Sequence, residues 1–197
     1  MVYERSIRRM AHEPDGRRAE DTVAEADDVE VRTAAEIERP LLEGLMQFYL
    51  YDFSELEPAD SPEFELEANG LFKPYKHLGA YWREPGRIPL MISKRGLPVG
   101  FALLHDHSHS GMPVDHNMAE FFVVRKHRRG GVASAAVARI LAAYPGRWEI
   151  AIVERNLGAQ AFWPKAIAAA PGVKDLHPMT GDGVQWSGPI YRFVVAA

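Results

Sequence analysis

The chain contains no cysteine. Disulfides, thiolate nucleophiles and cysteine-based metal sites are therefore excluded. It has no basic excess either: 23 Lys and Arg stand against 27 Asp and Glu, a formal net charge of -4. Without a cationic stripe, nucleic acid is not an expected partner. Long apolar runs are missing too, and no stretch approaches the roughly 20 residues that a membrane span requires. Arg5, Arg8 and Arg9 are not followed by the apolar core of a secretory signal, so a cytoplasmic location is expected, away from membranes. Two phosphate-binding patterns, G-x-x-x-x-G-K-[ST] and G-x-G-x-x-G, are also absent.

What remains is an ordinary globular composition, 47% hydrophobic and 25% charged over 197 residues. Residues 1–28 stand apart, because acids and arginines alternate there and large apolar side chains are few. Such a segment buries too little apolar surface to offset its ordering entropy, which predicts a mobile tail. Residues 29–197 are expected to form one domain.

Within that domain, Val29–Arg32 alternates as a short strand. Thr33 and Glu36 have capping-box spacing, and Ile37, Leu41, Leu45 and Phe48 predict the buried face of the helix that follows. Pro40 should kink that helix or delay its start. Residues 54–70 read as a loop or a second short helix, and 73–82 as a helical or irregular aromatic segment. Leu90–Ile92 and Val99–Leu104 flank Arg95-Gly96, a hairpin pattern. Strands follow at 118–124, 148–153 and 190–195, with helices at 131–144 and 156–167. Hairpins among mixed elements predict an α+β domain, a mixed central sheet with flanking helices, and not an alternating parallel one.

The chemistry concentrates at residues 120–134, Glu-Phe-Phe-Val-Val-Arg-Lys-His-Arg-Arg-Gly-Gly-Val-Ala-Ser. A strand ends, a basic turn follows, and two glycines open a helix. Glycine lets a ligand approach the backbone. The helix start supplies unpaired N–H groups and partial positive charge, and Arg128 and Arg129 add full charges. This is an anion site suited to a diphosphate.

Arg128-Arg129-Gly130-Gly131-Val132-Ala133 resembles the R/Q-x-x-G-x-G/A loop of the GNAT (Gcn5-related N-acetyltransferase) family. One strand later, the run Asn156-Leu157-Gly158-Ala159-Gln160-Ala161-Phe162-Trp163 resembles that family's N-x-x-A-x-x-F-Y/W segment. The resemblance implies two central parallel strands that splay in a V and admit acetyl-CoA or another acyl-CoA, with no metal. It assigns the pyrophosphate to amides from Arg129 to Ser134, and the pantetheine arm to Phe122, Val123 and Val124. Asn156, Ala159, Phe162 and Trp163 would complete the cofactor side. The implied activity is acetyl transfer, by direct attack in a ternary complex, to an amine of a small-molecule or amino-acid-like acceptor. The alternatives are a non-catalytic acyl-CoA-binding or sensing module, or an acetyltransferase acting on protein lysines or N-termini. Family members are often monomers or dimers.

Acyl transfer to an amine needs a base, a donor to the thioester oxygen and a proton for the leaving thiolate. Glu120 is the candidate base. The N–H near Val124 is the candidate oxygen donor. Many family members place a proton-donating Tyr where this chain has Trp163, and an indole cannot serve as that acid. Tyr191 is a substitute candidate, although a core tyrosine in a final strand reads the same way.

For the acceptor, Tyr49, Tyr51 and Asp52 form an aromatic–acidic run suited to a cationic amine, with Tyr75, Tyr81 and Trp82 as the opposite wall. Such runs are also ordinary helix core. His105, His107 and His109 alternate and so invite a metal reading. Their neighbours Ser110, Gly111 and Pro113 favour a polar loop.

Overall fold

A computed structural model of the chain describes residues 28–197, so all of the expected tail except Asp28 lies outside the described residues. Within them one seven-stranded sheet forms, in the order β1-β2-β3-β4-β5-β7-β6. The strands are β1 Val29–Thr33, β2 Ile88–Lys94, β3 Leu97–His105, β4 His116–Val123, β5 Gly146–Ala151, β6 Val173–Thr180 and β7 Pro189–Val195. Three helices flank it: α1 Arg39–Ser54, α2 Val132–Ala143 and α3 Leu157–Ala169. None is long and apolar enough to cross a membrane.

Strand alternation builds two cores. Leu90, Ala102, Leu104, Met118, Trp148 and Ile150 face α2 and α3, meeting Val137, Ile140, Leu141 and Ile167. Met91, Phe101, Leu103 and Phe122 face α1, meeting Leu42, Leu45 and Met46. The hairpin forms where its pattern placed it. Arg95 and Gly96 both adopt positive φ, +52° and +72°, as the two central residues of a type I′ turn do.

Several expectations need correction. The buried face of α1 is Leu42, Leu45 and Met46, while Ile37 is 89% and Phe48 60% exposed. Each residue step turns a helix by about 100°, and the phase is set by Tyr49, which reaches the sheet. Thr33 does not cap the segment. Instead the Glu38 carboxylate accepts the Ala35 N–H at 2.9 Å and pairs with Arg32. Pro40 lies in the first turn of α1, where its missing N–H has no intrahelical partner to lose. Between α1 and β2 the structure agrees with the expected loop and short or irregular helical segments. The 3₁₀ turns Pro62–Phe64 and Leu78–Trp82 stand there.

β6 was not expected at all. It is an edge strand of mixed burial with Asp175 at φ +52° and a register shift between Lys174 and His177. The irregularity spaces its apolar residues, Val173, Leu176 and Met179, by three and erases the period of two. The helix α3 runs past Pro164 to Ala169.

Candidate active site

β4 and β5 are the sheet's parallel pair, and they pair only at His116↔Trp148 and Asn117↔Glu149. Beyond those rungs they part. Between Met118–Phe121 on one side and Ile150–Val153 on the other lies a cavity of about 290 Å³. On the β3 side, the register of β4 slips between the Leu103 and Leu104 pairings, so Ala119 is bulged. The bulge re-aims the strand beside the gap, and Glu120 and Phe122 then face α1.

Glu120 is the centre of the cavity wall. The residue as a whole is half-buried, with its carboxylate withdrawn among aromatic side chains. That carboxylate accepts from the Tyr49 hydroxyl of α1 and, at 2.9 Å, from the Tyr75 hydroxyl. Desolvation pushes Glu120 above its ordinary range, and the two hydroxyl donors offset this only in part. Desolvation also raises Tyr49 and Tyr75, helped by the Glu120 charge. Tyr81 lies buried nearby, its hydroxyl without a hydrogen-bond partner among the described residues and pushed up to about 12 by burial. Tyr49 is braced edge-on by Phe101 and Phe122, with centroids at 5.9 and 6.0 Å.

The glycine loop lies at the other end of the gap. After Val123 a 3₁₀ turn, Arg125–His127, leads to Arg129 at φ +62° and Gly131 at φ +77°, the N-cap of α2. No side chain caps α2, so the amides of Val132, Ala133 and Ser134 at its start have no side-chain acceptor. Arg128 turns back: its Nε donates to the Val123 carbonyl at 2.7 Å, and its guanidinium lies over Phe122 and pairs with Asp52. Arg125 donates to the other oxygen of Asp52 at 2.8 Å. Asp52 therefore ties α1 to the glycine loop and does not line the cavity.

The remaining expected residues separate. Tyr51 is exposed and lies with Phe48, Asp52, Phe122, Val124 and Arg125 around a second recess. The Trp82 indole donates to the Ala34 carbonyl at 2.9 Å and so braces the fold. Asn156 caps α3 by accepting the Ala159 N–H at 2.9 Å, and both residues line the cavity with Trp163. Phe162 and Trp163 pack on Phe121, at 6.2 and 5.2 Å. Tyr191 sits on β7 opposite Ile150, packed on the core and not lining the cavity. The Val124 N–H is taken by the Val99 carbonyl at 2.9 Å. Amides alternate along a strand, so Phe121 and Val123 are the ones that face the gap.

The histidine run forms a loop that covers one end of the cavity. His105 and His109 line it, and the His109 ring lies 4.5 Å from that of Trp186, which comes from the β6–β7 loop. Burial lowers both histidines, His105 to about 4. Among the described residues no group of three or more His, Cys, Asp or Glu is arranged to hold a metal ion.

The loop is anchored by the fully buried Glu149. This carboxylate receives the Ser108 and Ser110 hydroxyls at 2.9 and 2.5 Å, the His109 N–H at 2.6 Å and Arg192 at 2.8 Å. Burial works to raise Glu149, and those donors outweigh it, leaving the group below its ordinary range. Neither Glu149 nor Trp186 was expected from the sequence. The signal for the first was a lone acid inside the apolar strand Trp148–Val153; the second had none.

A profile of the acetyltransferase (GNAT) family matches residues 47–167. The chain belongs to the GNAT acetyltransferases. An acetyltransferase from Thermus thermophilus superposes with a TM-score of 0.59 at 14% identity, over 85% of this chain and 97% of that one. A spermidine N-acetyltransferase from Vibrio cholerae, in complex with CoA and spermine, gives 0.52 at 9% identity, over 86% and 96%. At such identities the likeness is one of fold. No curated protein matches this GNAT chain in sequence.

Proposed function

We propose that this GNAT protein transfers an acetyl group from acetyl-CoA, or another acyl group from its CoA thioester, to the amine of a small-molecule acceptor by direct attack in a ternary complex. The observation that carries the reading is Glu120, a desolvated carboxylate held by two tyrosines in the wall of a cavity between parting strands. Bound acetyl-CoA supplies an activated thioester carbonyl. The residues fit such a group: a glycine-led helix start without a side-chain cap lies at one end of the gap, and strand amides line its edge.

In this reading Val132, Ala133 and Ser134 offer amides to the diphosphate, with Arg129 and the glycines Gly130 and Gly131 beside them. Arg128 orients the loop from behind. Phe121 and Val123 offer amides to the pantetheine arm and the thioester oxygen. Glu120 takes a proton from the acceptor's ammonium, directly or through a water, freeing the amine lone pair to attack the thioester carbonyl, and its raised affinity for protons suits it to that task. Tyr49 and Tyr75 fix the carboxylate's orientation and, unlike Tyr191, line the cavity, so one of their hydroxyls would return a proton to the departing sulfur.

The test is release of free thiol from acetyl-CoA across a panel of amines, wild type against Glu120→Gln. Turnover that falls sharply in the variant, with unchanged CoA affinity, supports the reading. Equal turnover at every pH removes Glu120 from the mechanism. Trp163, standing where a proton-donating Tyr is usual, favours a second reading, a module that binds acyl-CoA without turnover. Binding with no thiol release from any amine would select it.

A further inference from the structure

The cavity carries a charge pattern that restricts the acceptor beyond its being an amine, given the reading of Glu120 as base. Glu120 is a desolvated acid without a cationic partner among the described residues; its two partners are neutral hydroxyls. Asp52, by contrast, is bound by Arg125 and Arg128, and Glu149 by Arg192. A desolvated carboxylate without a countercharge is costly, and an arriving ammonium supplies that charge.

Among the described residues, no Lys or Arg lines the cavity. Arg87, near the histidine loop, is taken by Glu84 at 2.7 Å. Burial disfavours the cationic form of both His105 and His109. A carboxylate or phosphate on the acceptor would therefore enter without a countercharge. A second ammonium would fare no better, because Glu120 is the only acid among the described residues that line the cavity. The rest of the lining suits a flat apolar body: Phe53 and Tyr75 stand on the wall with Glu120, while His109 and Trp186 pack as a pair of rings 4.5 Å apart. The acceptor must share a cavity of about 290 Å³ with the end of the cofactor's arm, which restricts it to a small molecule.

From this juxtaposition we infer that the acceptor is a primary monoamine with an uncharged, ring-bearing body, and that carboxylated amines and polyamines are rejected. This narrows the expected acceptor away from amino acids.

Tyramine, tyrosine and spermidine test the charge terms, since tyrosine adds only a carboxylate to tyramine, while spermidine replaces its ring with further ammonium groups and length. Each is titrated into the full chain saturated with CoA and followed by calorimetry, and each is assayed for thiol release with acetyl-CoA. Tyramine should bind at least about a hundredfold more tightly than either competitor, the scale set by an unpaired buried charge. Trp186→Ala should weaken tyramine at least about tenfold while changing ethylamine less, and Trp186→Phe should restore it. Comparable or tighter binding of tyrosine or spermidine, or tyramine binding that is indifferent to Trp186→Ala, overturns the inference. Selective tyramine binding without thiol release sustains it and instead overturns the catalytic reading.

Discussion

Glu120 and Glu149 stand on neighbouring strands of one sheet, both with carboxylates withdrawn from water, yet their surroundings answer that loss in opposite ways. Glu149 receives an arginine, two serine hydroxyls and a backbone amide, and is held below its ordinary range. Glu120 receives two tyrosine hydroxyls and is held above it. The first is a charge whose environment is complete, so it serves structure by pinning the histidine loop. The second is incomplete, and in the proposed reaction it is the group that exchanges protons and meets a cation. The difference lies in the sheet: Glu149 sits at the last rung that joins β4 to β5, and Glu120 just past it, where the strands have parted.

The largest break in this comparison should come from Glu149→Ala. It strands Arg192 and releases Ser108–Ser110, and loss of one partner of a buried pair costs about 3–5 kcal/mol. Urea unfolding should read a loss near the lower end, because Arg192 keeps some access to water. Glu120→Gln should do the reverse. Its turnover should fall about 10²–10⁴-fold, the span of general-base catalysis, while its unfolding midpoint holds or rises, since a desolvated charge is removed.

The two acids should also bend the pH dependence of stability in opposite directions. Glu149 has a lowered folded pKa, so its contribution is present above the unfolded value, about 4.3, and is lost as pH falls through the folded one. Glu120 has a raised folded pKa. Its contribution is present below about 4.3 and is lost as pH rises through the folded value. Unfolding free energies of Glu149→Gln and Glu120→Gln, measured against pH, should diverge from wild type with opposite slopes. The acid limb of the wild-type rate should lie above the ordinary carboxylate range.

The smallest effect belongs to the clamp behind the loop. Asp52→Asn frees Arg125 and Arg128 without touching the cavity, and should weaken CoA a few-fold by calorimetry, about 1 kcal/mol. Unchanged affinity would make the clamp irrelevant to cofactor binding.

The glycine loop, the hairpin and Glu120 were legible because each depends on local chemistry: a turn residue, a helix start, an acid leading an apolar strand. The buried face of α1 was not, because two apolar stripes compete on that helix and only tertiary contact with Met91, Phe101 and Leu103 chooses Leu42, Leu45 and Met46. β6 was hidden by its irregular register, and Trp186 by lying in a loop whose partner, His109, is far away in sequence. Asp52 read as an acceptor ligand because an acid among aromatics suits a cation; the cations that claim it come from just past the far end of β4.

With two rungs holding β4 to β5, the sheet amounts to a slab of four strands and a slab of three, joined by a short seam. A bound chain lying in the opening would act as a surrogate strand and stitch the slabs together. Occupancy and folding are then linked quantities: at a ligand concentration about 100 times its dissociation constant, the folded state gains about 2.7 kcal/mol. The protein's resistance to unfolding would follow the supply of its own substrate.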